Sequence, residues 1–164
     1  MQMRFPLYVL PALLLGSVFC LAASASAEDA PKADVAAVLG KLHQSNQKEV
    51  HMGQEARQNG KSQGVKDFGA TLERDHTAAD EKVAALARKR NIDLPNAPAA
   101  HSAPPAENFD HQFATMMVED HKKDIDEVKK ARDTTPDAEL KGLLTDMLPT
   151  LEKHLETAES LAKQ

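Results

Sequence analysis

Three histidines and one glutamate stand where core hydrophobes belong. In the run Leu140, Leu144, Met147, Leu151, His154, Ala158, Leu161, the alternating spacing of four and three puts all seven residues on one helix face, with His154 turned toward a bundle axis. The stripe Phe113, Met117, His121, Ile125, Val128 does the same for His121, and Val65, Phe68, Leu72, His76, Ala79, Val83, Leu86 for His76. A fourth stripe, Val35, Leu39, Leu42, Asn46, Glu49, Gly53, Ala56, carries Asn46 and Glu49 inward. A buried carboxylate near buried imidazoles needs partners or a metal. Three imidazoles and a carboxylate form a donor set for zinc, iron or another first-row divalent ion, with bonds of roughly 2.0–2.2 Å. Glu49, His76, His121 and His154 are therefore the candidate metal ligands. The competing reading is a metal-free, hydrogen-bonded layer that fixes helix register. Asp75 and Asp120 directly precede two of the histidines. They point about 100° away on the helix and read as solvated, or as outer partners of the imidazoles.

Other chemistry is weaker. Met52, Met116, Met117 and Met147 lie near the polar layer and could suggest a soft copper site, but methionine in a bundle core ordinarily fills gaps. Zinc or iron is favoured over copper on that ground. His43, His51, His101 and His111 read as surface residues, and the Lys and Glu runs as solvated faces. There is no nucleophile constellation and no phosphate-binding loop, so catalysis would have to come through a metal.

The N-terminus is read separately from the fold. Met1 to Arg4 give a short basic start, Phe5 to Ala23 an apolar run, and Ala25-Ser26-Ala27 a small-residue cleavage pattern. This predicts a secretory signal peptide over residues 1–27 and a domain over 28–164. Pro6, Pro11 and Gly16 interrupt the apolar run, which argues against a retained membrane helix. Phe19 before Cys20 argues against lipid attachment, which favours a small residue there.

Cleavage would remove the one cysteine and the one tyrosine, and there is no tryptophan. Disulfides, thiol catalysis and thiolate metal sites are then excluded, and Phe68, Phe109 and Phe113 are too few for a base-stacking platform. Of the 20 basic residues only Arg4 is lost, while all 25 acidic residues remain, which moves the formal charge from −5 to −6. Nucleic acid is a poor partner for such a surface.

Four helices must position the polar residues, and the expected class is all-α. Helix one is expected from about Ala33 to Arg57, ending at a glycine cap in Asn59-Gly60. Helix two is expected from about Gln63 to Arg90, closed by basic residues. Pro95, Pro98, Pro104 and Pro105 break the segment Ile92 to Glu107, whose polyproline-like path could span the bundle. Helix three is expected from about Asn108 to Arg132, and helix four from Pro136 behind Thr135 as N-cap. Whether helices two and three run parallel is left open.

Several local sequences carry a resemblance: Lys48-Glu49-Val50, Phe68-Gly69 with Asp75-His76, Asp120-His121, and Leu148-Pro149-Thr150-Leu151 leading to His154-Leu155. In these the chain resembles bacterial secreted proteins carrying domain of unknown function 4142, over essentially the whole mature sequence. The resemblance implies a ferritin-like four-helix bundle and an envelope location, and no activity. Di-iron ferritin-like proteins use Glu-x-x-His on two helices. Here only Glu73 to His76 has that spacing, and Leu151 stands three residues before His154. The functional expectation is a periplasmic or secreted domain holding a divalent metal in its mid-bundle layer, in metal handling or stress defence. The alternative is a metal-free structural or interaction protein of the envelope, with unidentified protein partners and association at the outer membrane left open.

Overall fold

The computed structural model describes residues 29–96 and 107–164, with side chains from Asp34 onward. The signal peptide expected over 1–27, and Pro98, His101, Pro104 and Pro105 of the connection, lie outside the described residues. Four helices and no strands are described: α1 (Asp29–Asn59), α2 (Gln63–Lys89), α3 (Phe109–Thr134) and α4 (Ala138–Leu161). This is the expected all-α four-helix bundle.

The ends of the helices are set by local chemistry. Ser62 caps α2, its hydroxyl accepting from Val65 N at 3.3 Å. Asp137 caps α4 and accepts from Leu140 N at 2.9 Å. The expected cap Thr135 instead closes α3, and its hydroxyl accepts from Asp137 N at 3.2 Å. A carboxylate at the first turn, facing the helix dipole, is the better cap of the two. The expected glycine cap of α1 is also corrected. Gly60 is not left-handed; it is needed for space, since a Cβ there would lie 2.5 Å from the Ala56 carbonyl. The left-handed residue is Asn91 (φ 51°) after α2, where Ile92 N–H bonds back to Ala87 O at 2.9 Å.

Helix direction follows from the polar contacts at the bundle ends. Asp110, in the first turn of α3, accepts from the backbone N–H of Lys61 and Ser62 at 2.8 and 2.7 Å, so α2 and α3 start at the same end. At the other end Arg90 closes on Asp137 at 2.9 Å and on Glu139 at 2.7 Å, which ties the end of α2 to the start of α4. Helices α2 and α3 are thus parallel, and the end of α2 and the start of α3 lie at opposite ends of the bundle. Helix α1 packs on α2 and α3, and α4 on α3 and α2.

Two apolar clusters fill the two ends. One gathers Val35, Leu39, Val83, Ile125, Leu140 and Leu144 among others. The other gathers Met52, Val65, Phe68, Leu72, Phe113 and Met117. Neither cluster includes the buried polar residues Asn46, Glu49, His76, Asp80, His121 and His154.

The inward stripes of α1, α3 and α4 are buried as their spacing predicts, apart from Leu42 and Leu161, which are half-buried. That of α2 departs after His76, where Asp80 and Ala87 are buried instead of Ala79 and Leu86, which are half-buried. Both paths satisfy a helical period. Asp80 wins because α1 supplies partners: His43 Nδ1 at 2.7 Å and Gln47 Nε2 at 2.5 Å. His43 is accordingly half-buried and paired, in contrast to the expected surface position.

Helices α1 and α2 touch through glycine. A Cβ on Gly53 would lie 2.6 Å from the Gly69 carbonyl, and one on Gly69 would lie 2.6 Å from the Gly53 carbonyl and 2.8 Å from Ala56 Cβ. The carbonyl contacts are with backbone and cannot yield without parting the helices. Gly69→Ala therefore sets overpacking of about 1–3 kcal/mol against a helix-propensity gain of about 1 kcal/mol. A thermal melt is expected to show a midpoint lowered by on the order of 5 °C. An unchanged or raised midpoint would contradict the close approach.

Candidate metal centre

The three core histidines converge. One nitrogen from each of His76, His121 and His154 lies within 4.8 Å of the other two, and all three residues are buried. Ring centroids are 5.2 to 5.8 Å apart, so the rings form a nearly equilateral triangle. Helices α2, α3 and α4 contribute one ring each, and the edge of Phe68 packs against His154 at 6.1 Å.

The partners of these rings fix where the protons sit. His121 Nδ1 is 3.0 Å from the Met117 carbonyl oxygen, which can only accept, so this nitrogen carries the hydrogen. His154 Nε2 is 3.0 Å from Asp75 Oδ2 and donates to that carboxylate. His76 Nδ1 is 3.0 Å from Asn46 Oδ1 and donates to it. In a neutral imidazole the other nitrogen is then a bare lone pair. The three bare atoms are His121 Nε2, His154 Nδ1 and His76 Nε2. The first two face each other at 3.3 Å, and the third is buried with no partner.

Burial keeps the rings neutral. Desolvation, reinforced by the neighbouring imidazoles, pushes His76 down to about 3. His121 falls to about 4, again through burial and then through His154. His154 is lowered by burial as well, against the opposing pull of Asp75. Burial raises the Asp75 carboxyl, but its hydrogen bonds to Arg74 and His154 outweigh this, so it is held below the usual range.

Such an arrangement has the form of a metal site. Each ring donates its one N–H to a carbonyl, a carboxylate or an amide oxygen, the outer-shell pattern that orients histidine ligands. A tetrahedron with bonds of about 2.0–2.1 Å has edges of about 3.3–3.4 Å, close to the spacing of the His121 and His154 nitrogens. The nitrogen of His76 lies within 4.8 Å of the other two, and its Nε2 is buried without a partner.

Glu49 is not brought into this cluster. It is buried on α1 one turn after Asn46, and its Oε2 has no partner. Desolvation, followed by repulsion from Asp124 and Asp120, raises it to about 8, so it is protonated at neutral pH. Asp120 points away from the rings and pairs with Lys48 at 2.7 Å. Sequence reasoning flagged Asp75 as a potential outer partner and Asn46 as inward. It assigned no role to the Met117 carbonyl, since a backbone acceptor leaves no trace in residue type.

The family model described as "Domain of unknown function (DUF4142)" matches residues 20–161. The chain belongs to that family. Comparisons with curated proteins and with solved structures return no match. The matched span takes in the histidine cluster together with Asn46, Asp75 and Met117.

The buried groups oppose one another in pH. The histidines have folded values below the unfolded 6.5, so the stability they allow is present above that pH and is lost as pH falls. Glu49 has a folded value above its unfolded 4.5, so its contribution is present below that pH and is lost as pH rises through about 8. In chelator, thermal midpoints are expected to peak near pH 6.5, and Glu49→Gln is expected to flatten the alkaline side. A wild-type midpoint still climbing between about pH 7 and 9 would contradict this balance.

Proposed function

We propose that this chain is a secreted or periplasmic protein that holds one divalent first-row metal ion, zinc or iron before copper, at the centre of its bundle. The observation that carries the reading is the convergence of three buried imidazoles, one nitrogen of each lying within 4.8 Å of the other two. Lone pairs set against one another in a desolvated interior repel, and a cation among them turns that repulsion into bonding. His76, His121 and His154 supply the ligands. Asn46, Met117 and Asp75 hold the rings in the required tautomers. Glu49 lies outside the cluster and stays protonated at neutral pH, so any further position falls to a group from outside the chain. The apolar-run N-terminus supports export, and the acidic surface supports protein partners of the envelope over nucleic acid. Metal handling or stress defence is the role that suits a site of this kind.

A second reading has its own support. At 3.3 Å, a single proton could bridge His121 and His154 and leave a metal-free layer that fixes helix register in a structural envelope protein.

Metal analysis of protein purified without an affinity tag separates the two. After dialysis against zinc or iron and removal of excess, about one ion per chain is expected. His121→Ala or His154→Ala should abolish retention, and Asp75→Asn should weaken it by about 10- to 100-fold. Metal content near zero after loading with zinc, iron and copper in turn would refute the metal reading and leave the structural one.

A further inference from the structure

On the metal reading, an ion must pass between helices to reach rings that are only 1–3 % exposed. Two openings approach them. Between α1 and α3 lies a groove that reaches His76 alone of the three, and Lys41 and Lys130 on its walls balance Asp124 and Glu127. Between α2 and α4 lies a cleft of about 170 Å³, room for several waters, which is lined by both His76 and His154. Two of the three ligands are met from this side. The charged residues of the cleft are Asp75, Asp146 and Lys82, so carboxylates outnumber cations on its walls. A cleft of negative sign concentrates a divalent cation, and the balanced groove does not.

The groups that hold the rings differ in the same direction. Met117, whose carbonyl holds His121, is 0 % exposed, and Asn46, which holds His76, is 2 % exposed. The Asp75 side chain, which holds His154, is 25 % exposed and lies on the cleft wall. Its Oδ2 accepts from His154 Nε2 at 3.0 Å and its Oδ1 from Nε of the exposed Arg74 at 2.7 Å. His154 is thus the one ring whose tether is open to solvent. Asp146 stands eight residues before His154 on α4, or about 12 Å along the helix. Since α2 and α4 run antiparallel, it sits at the end of the cleft away from Asp75. We propose, on the strength of the metal reading, that the cleft between α2 and α4 is the port through which a divalent ion enters and leaves the histidine cluster. His154 is the ligand that opens, Asp75 is the positioning residue that latches it, and Asp146 is the carboxylate that draws the ion in.

Zinc uptake and release by the full chain, timed by stopped flow against a colorimetric zinc chelator, test the port alongside zinc content at equilibrium. Thr150→Trp, which fills the cleft from an exposed position on α4, should slow uptake and release by about tenfold or more, with about one ion per chain still retained. Leu42→Trp, which fills the groove between α1 and α3, should leave both rates unchanged. Asp146→Lys should slow uptake by about tenfold at low salt, and the difference should shrink at about 1 M salt. In Asp75→Asn the loss of retention should appear as faster release. A metal-free measurement on the wild-type chain tests the latch by itself: the His154 Nε2 hydrogen should exchange with water about tenfold faster than the Nδ1 hydrogens of His76 and His121, read by NMR. Rates slowed by Leu42→Trp and not by Thr150→Trp, unchanged uptake in Asp146→Lys, or exchange at His154 no faster than at the other two rings would overturn the port and leave the metal reading standing. Zinc content near zero in the wild-type chain would overturn both.

Discussion

The confrontation of three bare imidazole nitrogens in a desolvated interior is the constraint on which the rest of this bundle depends. A layer containing three histidines, an asparagine and a glutamate is expensive to bury, and it lies outside both of the apolar clusters that give the fold its stability. The layer persists because each ring has one nitrogen satisfied by a group that can only, or does here, accept: the Met117 carbonyl, Asp75 and Asn46. The remaining nitrogens lie close together, those of His121 and His154 at 3.3 Å.

The topology exists to hold the layer level. Two antiparallel hairpins, α1 with α2 and α3 with α4, are joined so that α2 and α3 run parallel, and the hydrogen bonds to Asp110 and the ion pairs of Arg90 pin the two ends. Within the first hairpin, the glycine contact between Gly53 and Gly69 draws the backbones together within two turns of Glu49 and His76. Between the hairpins the packing is looser. There the groove along α1 and α3 reaches the histidine ring that has least to hold it.

Much of this was legible in the residues. Spacing of three and four put His76, His121 and His154 inward, and the structure buries all three at about 1–3 % exposure. Periodicity fixes direction around a helix but not the offset between helices. It could therefore align Glu49 with the histidines in level and still not show that its neighbours are Asp120 and Asp124 rather than the rings. The same limit explains Asp80. A stripe continuing through Ala79 and one through Asp80 are equally periodic, and only the tertiary partners His43 and Gln47 decide between them. Cap choice at α4 turned on two adjacent candidates, Thr135 and Asp137, that sequence alone ranks poorly.

The tautomers of the three rings test the account most directly. Long-range nitrogen–proton NMR on the ¹⁵N-labelled, metal-free protein at about pH 7 reports which ring nitrogen carries hydrogen. The account predicts neutral rings with the hydrogen on Nδ1 of His76, on Nδ1 of His121 and on Nε2 of His154. A hydrogen on His154 Nδ1, or an imidazolium at any of the three, would mean the nitrogens share a proton among themselves, and the central claim would be wrong.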